Sequence, residues 1–355
     1  MVRAIALVLV GGCSFAPAST TNPDPGPDAP MTPTASAIEW LGDLELRRDG
    51  YVIPPGKLLA GQPVEVCAQS FPRGAAVRAT LHWTPAGGEP GETAMTLERE
   101  DAGPFGHNTR WCARLGDQSL ARPSGNGLEI GDLALSVIAE DAAGAPVRAE
   151  LAISPRAEIV LFDPEVDPDA ATWRMAGPGS FAIDGATLRA QPSNGLGLYW
   201  NAIPTPPDFE LSLEAQLDRF DDNSGVFVRF RDPDSFGYDN PAWIGVHDGL
   251  EIQIDETARP DGADVHRTGA VYEQPSSFVR APDGIPGAWR RFDITVRGSR
   301  FVVRVDGVQV TDLLFAGDVE RPDRAAPSKP GAPRFIGLQS HTGSVAFRRI
   351  HLRAL

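Results

Sequence analysis

Nowhere in its 355 residues does the sequence gather lysine and arginine into a run, and acidic residues outnumber basic ones by 47 to 32. The net charge of −15 repels polyphosphate, so nucleic acid is not an expected partner. No stretch approaches the roughly 20 apolar residues that a membrane-spanning helix needs. Cysteine is scarce, three in all, and no Cys/His cluster has metal-ligand spacing. A convincing helical period is missing as well. Turn formers are plentiful: 33 Pro and 37 Gly, beside 42% hydrophobic content, describe an all-β chain long enough for two cores.

The first 13 residues read as an export signal. Arg3 supplies the positive start, Ala4 to Val10 the apolar run, and the small pair Gly11-Gly12 precedes Cys13 in the manner of a lipobox. Lipidation of Cys13 would anchor the protein without spanning the membrane. The expected location is the bacterial cell envelope, at the outer membrane or in the periplasm. Residues 14–36 are rich in Pro, Ser, Thr and Asp, with no apolar periodicity, and read as a disordered tether. In an exported chain the two remaining thiols, Cys67 and Cys112, are expected to pair.

Residues 37–155 alternate in short runs broken by turns, among them 63–67, 76–83, 110–115 and 133–139. Strands at this spacing predict a β-sandwich. With Trp83 between the two thiols, the order Cys, Trp, Cys resembles the immunoglobulin architecture, in which a Trp packs on an inter-sheet disulfide. Nothing in this region forms a catalytic constellation, and it reads as a spacer or accessory binding module.

Residues 156–355 again read as strands and turns. Glu210–Leu217, Gly225–Phe230, Leu250–Asp255, Arg291–Val296 and Phe301–Val305 alternate, and Asp306-Gly307 is a two-residue hairpin signal. Two antiparallel sheets are implied, one convex and one concave. Seven segments then occur in a characteristic order: 208–211, 223–229, 249–255, 266–272, 287–292, 306–307 and 336–341. On these the region resembles the 3-keto-disaccharide hydrolase family, across essentially the whole domain. The resemblance implies a concanavalin/laminarinase-like jelly-roll β-sandwich and cleavage of glycosides already oxidised to a ketone at C3. It also implies a carbohydrate ligand, with a sugar 3-dehydrogenase to supply the oxidised substrate. The stretch between Arg229 and His247 departs in length from the family pattern.

A C3 ketone acidifies the hydrogen at C2, so a base can remove it and the enolate can expel the group at C1. Such a site needs a general base, an acid for the leaving oxygen, and a positive or hydrogen-bonding group for the oxyanion. Alternation along Leu250–Asp255 sends Leu250, Ile252 and Ile254 to the core and Glu251, Gln253 and Asp255 to the other face. A solvated sheet face is the plain reading of that pattern, and a site the reading that the resemblance favours. Laminarinase-type enzymes carry Glu-x-Asp-x-Glu on the corresponding kind of strand. Here Gln253 occupies the centre and the shorter Asp255 the end. Positions four apart lie about 13 Å apart, whereas a retaining glycosidase wants carboxyl groups about 5–5.5 Å apart. Direct hydrolysis of an unoxidised glycoside is therefore disfavoured.

The expected catalytic residues are Glu251, Asp255, His266 and His341, either histidine serving as base, acid or metal ligand. Arg229, Gln253, Tyr272 and Gln339 are the expected substrate contacts, with Arg229 suited to an enolate or a hydroxyl and Trp243 a further aromatic platform. The sequence specifies no cofactor with certainty. A divalent metal held by His and carboxylate oxygen is conceivable, but no short ligand motif specifies one. The competing reading is a lectin-like lipoprotein that keeps the groove without the chemistry.

Overall fold

A computed structural model describes residues 36–355 apart from 101–107, 116–121, 125–126, 130–131, 168–169, 236, 275–276 and 316–332. The export signal, Cys13 and nearly all of the tether lie outside the described residues. Strands between 40 and 153 build two larger antiparallel sheets, beside a two-stranded hairpin at 122–129, and the inner residues of the larger pair, including Val66, Leu81, Leu115 and Val137, are fully buried. In the six-stranded sheet, Val64–Phe71 pairs with Thr109–Leu115. That register sets Cys67 directly opposite Cys112, and the two form a disulfide with their Cα atoms 4.2 Å apart. The bridge therefore ties adjacent strands of one sheet. Trp83 belongs to the other, four-stranded sheet, where its indole covers Gly91. The inter-sheet bridge of an immunoglobulin domain is not what this pair makes, because the register brings the two strands side by side.

This sandwich does not hang free as a spacer. Lys57, almost completely buried, reaches Val160 O and Asp167, both at 2.5 Å. Arg48, also buried, donates to Pro204 O, and the Tyr51 hydroxyl donates to Asp232. The Tyr51 ring also meets Phe335 edge-on at 4.9 Å.

The strands from 158 to 354 form a second sandwich. One sheet has nine strands, with Phe209–Leu217, Arg290–Arg297 and Val345–Ala354 at its centre. The other has five: β1 (Trp173–Ala176), β2 (Gly197–Asn201), β3 (Asn223–Phe230), β4 (Leu250–Asp255) and β5 (Phe335–Ser340), in the order β1-β2-β5-β3-β4. Val226, Ile252, Ile254 and Leu338 face Phe292, Val303 and Phe347 in the core between the sheets. The opposite face carries its own apolar cluster of Leu198, Trp200, Phe227, Phe230 and Phe335, capped by Ala242 and Ile244 of the short helix α1 (Trp243–Asp248) and its preceding turn. The longer stretch noted between Arg229 and His247 is thus a lid on the outer face of this sheet.

The clean in–out alternation expected for 225–230 and 250–255 is not seen in the burial. Every residue of β4 is buried, as is all of β3 after Asn223. Both faces of these strands are covered, one by the nine-stranded sheet and one by α1. The free edge of β4 is bonded by the segment 268–272: Gly269 N donates to Gln253 O and Tyr272 N to Glu251 O.

Closing the loop between Cys67 and Cys112 restricts the unfolded chain. Replacing both cysteines with serine should lower unfolding free energy by about 2–4 kcal/mol, measured by chemical denaturation under non-reducing conditions, with the far-UV spectrum unchanged.

Candidate functional site

Where the apolar cluster on the outer face of the five-stranded sheet ends, a cleft of about 670 Å³ opens. Its floor is polar. Register explains the floor: Gly225 pairs with Gln253 across β3 and β4, Phe227 pairs with Glu251, and β5 adds Gln339 and then His341 beyond its end. Glu251, Gln253 and Gln339 are only 9%, 2% and 5% exposed, so they are not a solvated sheet face. One oxygen of each, Oε1 in all three, is buried without a hydrogen-bond partner in the protein. Buried acceptors left unpaired are costly, which suits a site completed by a ligand rich in donors.

Glu251 lies flat against the sheet because residue 225 is glycine. A Cβ there would stand 2.2 Å from Glu251 Oε1 and 2.8 Å from its Cγ. Burial pushes the Glu251 carboxyl up to about 8, partly offset by a hydrogen bond from Gln339. At neutral pH it is mainly protonated. At the rim, the His341 ring nitrogen Nδ1 shares a hydrogen bond with Thr342 Oγ1 at 2.7 Å. Partial burial, helped by the charge of Arg259, holds the imidazole below its ordinary range. Arg259 itself lines the cleft.

The walls are aromatic. Trp243 and Val246 of α1 line the cleft, as does Tyr272, whose ring packs on His266 at 4.9 Å. The cleft therefore gathers Glu251, Gln253, Tyr272, Gln339 and His341 from the residues expected by sequence, and Trp243 with them.

Three expected residues lie elsewhere. Asp255 is fully buried and saturated: Oδ1 accepts from Thr257 N at 2.7 Å, Thr257 Oγ1 at 2.6 Å and Ala258 N at 3.1 Å. Its Oδ2 accepts from Asn223 Nδ2 at 2.9 Å and Arg259 N at 3.1 Å. It folds the turn that delivers Arg259. His266 backs Tyr272 rather than lining the cleft, with Nδ1 2.8 Å from Asp261 Oδ1. Arg229 sits at a bulge with φ 58°, where the register of β3 against β5 shifts. The bulge turns its side chain out of the cleft face, and the guanidinium donates to Pro207 O and to Gly298 O at 2.5 Å. Residues that the sequence reading passed over are Arg259 and Asn223. Arg259 stands just past a strand end, outside any quoted segment, and Asn223 was seen only as part of one.

Among the described residues, His, Cys, Asp and Glu side chains approach closely enough to hold a metal only at Glu65, Cys67 and Cys112. The two thiols there are joined in the disulfide, so that group offers no thiolate.

A β-sandwich with a polar floor set between aromatic walls has the form of a carbohydrate-active protein. The model of the 3-keto-disaccharide hydrolase family, described as a 3-keto-alpha-glucoside-1,2-lyase-like domain, matches residues 157–353, more than half of the chain, and the protein belongs to that family. No curated protein matches the sequence. Among solved structures it is similar to a candidate glycosyl hydrolase from Parabacteroides distasonis, with 22% identity over 56% of this chain and all of that one and a TM-score of 0.43. It is also similar to the carbohydrate-binding module CBM66 from Bacillus subtilis, with 13% identity over 52% and 96% of the two chains and a TM-score of 0.33.

A carboxyl whose pKa is raised by folding contributes stability that is complete below its unfolded value and lost as pH rises through the folded one. Between pH 5 and pH 8 wild-type stability should therefore fall relative to that of Glu251→Gln, which has no such proton to lose. Thermal melts of both proteins at the two pH values check this, and a constant difference would contradict it.

Proposed function

We propose that the protein cleaves 3-keto-glycosides by removing the C2 proton and eliminating the group at C1, with Glu251 and His341 as its acid–base pair. The observation that carries this reading is the buried Glu251 carboxyl, with one unpaired oxygen, in the same cleft as a neutral imidazole and an arginine. His341, uncharged at neutral pH, takes the proton from C2. The electron pair left on C2 shifts toward the ketone, and the resulting enolate oxygen at C3 draws stabilisation from the Arg259 guanidinium. As C3=O re-forms, a C1=C2 double bond develops and the C1–O bond breaks. Glu251, protonated at neutral pH, gives its proton to the departing oxygen. Water adding across C1=C2 then completes net hydrolysis. Burial moves the Glu251 carboxyl from its ordinary range up to about 8, so that it carries a proton to give at neutral pH, and the lowered imidazole of His341 is free to accept one.

Gln253 and Gln339 serve as hydroxyl contacts in this proposal, and Tyr272 as a sugar platform. Asp255 and His266 act as positioning residues, the one shaping the turn of Arg259 and the other steadying Tyr272. A sugar 3-dehydrogenase supplies the ketone. Lipidation at Cys13 places the reaction at the cell envelope, and Cys13→Ala should release the protein from the membrane fraction.

Turnover of a 3-keto-glycoside, with the parent glycoside left intact, is the expected result. Glu251→Gln and His341→Ala should each lower the rate by about 10²-fold or more while ligand binding persists, and deuterium at C2 should wash out into solvent. Equal activity on the unoxidised sugar would overturn the elimination. Binding without turnover of any 3-keto substrate would leave a lectin-like protein.

A further inference from the structure

The four-stranded sheet of the first sandwich ends in the strand Pro146–Ile153, which pairs with Leu133–Asp141 on one side. Among the described residues, no backbone group bonds its other side. The hairpin at its start fixes which groups face out. Asp141 N donates to Ala145 O at 3.2 Å, and Pro146, opposite Glu140, has no N–H to give. Antiparallel residue pairs alternate between bonded and non-bonded, so Val147, Ala149 and Leu151 carry the ladder to 133–141. The backbone N–H and C=O groups of Arg148, Glu150 and Ala152 therefore point from the free edge, with the Pro146 carbonyl beside them.

An open edge of this length is a template for another strand. The side chains along it select the partner. Val147, Ala149 and Leu151 pack against the core, while Arg148 and Glu150 stand on the outer face, opposite in charge, with side chains 58% and 66% exposed. Laid antiparallel on a second copy of itself about a two-fold axis at Ala149, the strand sets each Arg148 opposite the other copy's Glu150. The same register bonds the outward groups of 148 to those of 150, and the Ala152 N–H to the Pro146 carbonyl. Moving the axis one residue either way sets Arg148 against Arg148 or Glu150 against Glu150, so charge picks the register. The chain's own residues 14–35 fit the edge poorly, because Pro23, Pro25, Pro27, Pro30 and Pro33 remove ladder donors. We propose that the protein forms a two-fold dimer by antiparallel pairing of 146–153, which joins the two four-stranded sheets into one continuous sheet. This is independent of the reaction in the second sandwich.

Sedimentation velocity of the full chain carrying Cys13→Ala, over a concentration series, should show a monomer–dimer equilibrium. Arg148→Glu and Glu150→Arg should each weaken dimerisation by about tenfold or more, since each turns attractive cross-strand pairs into repulsive ones. Mixing the two variants should restore the dimer, because the glutamates of one copy then face the arginines of the other. A variant that had merely failed to fold could not be rescued this way. Glu150→Pro removes an outward N–H and none that the ladder to 133–141 uses, and it should give a monomer with an unchanged far-UV spectrum. Amide exchange at 148, 150 and 152 should slow as concentration rises. Monomer at every concentration, or a dimer indifferent to these substitutions, would overturn the pairing. Protection of the same amides in the monomer would place the chain's own segment on the edge and overturn it as well.

Discussion

Placing three polar side chains of one strand in a dry environment is the constraint around which the second sandwich is arranged. Glu251, Gln253 and Asp255 point away from the inter-sheet core, yet each is buried. The protein meets the cost of desolvation differently at each position. Asp255 is given a full set of donors and becomes part of the framework. Gln253 and Glu251 keep an unpaired oxygen each, and Glu251 also keeps its proton to higher pH than a carboxyl in water would. Glycine at 225, the apolar cluster under α1 and the backbone bonds from 268–272 to the edge of β4 all serve to hold those groups out of water and in place.

The framework itself was legible. Period-two alternation located the strands, and the inward set Leu250, Ile252 and Ile254 was read correctly because a strand's side-chain period leaves only two faces. The cysteines were also read correctly as a pair, although not as a bridge between sheets; register between distant strands decides that, and alternation carries no register. Of the residues expected at the site, those that project directly from regular strand positions, Glu251, Gln253 and Gln339, line the cleft.

Residues whose direction depends on irregular backbone were not legible in this way. Counting by twos puts Arg229 on the same face as Gly225 and Phe227, but the bulge at 229 inverts the count, as Phe230 shows by joining Phe227 in the outer cluster only three positions away. His266 lies in a short 3₁₀ turn, where its ring follows Asp261 instead of the cleft. Arg259 reaches the site because Asp255 captures the amides of the following turn. That is a contact between a side chain and its own downstream backbone, and no hydrophobic pattern announces it.

The contacts from the first sandwich reach the same lid. Tyr51 holds Asp232 in the segment leading to α1 and covers Phe335, an aromatic at the base of the outer cluster. Lys57 has its charge matched across the boundary by Asp167. The boundary joins these polar contacts to the packing of the Tyr51 ring on Phe335. Severing the chain near residue 155 would uncover Phe335 and strand a buried ammonium. Separating the halves would therefore take from the second sandwich part of what holds its lid, so that a change at Tyr51 in the first bears on the cleft in the second.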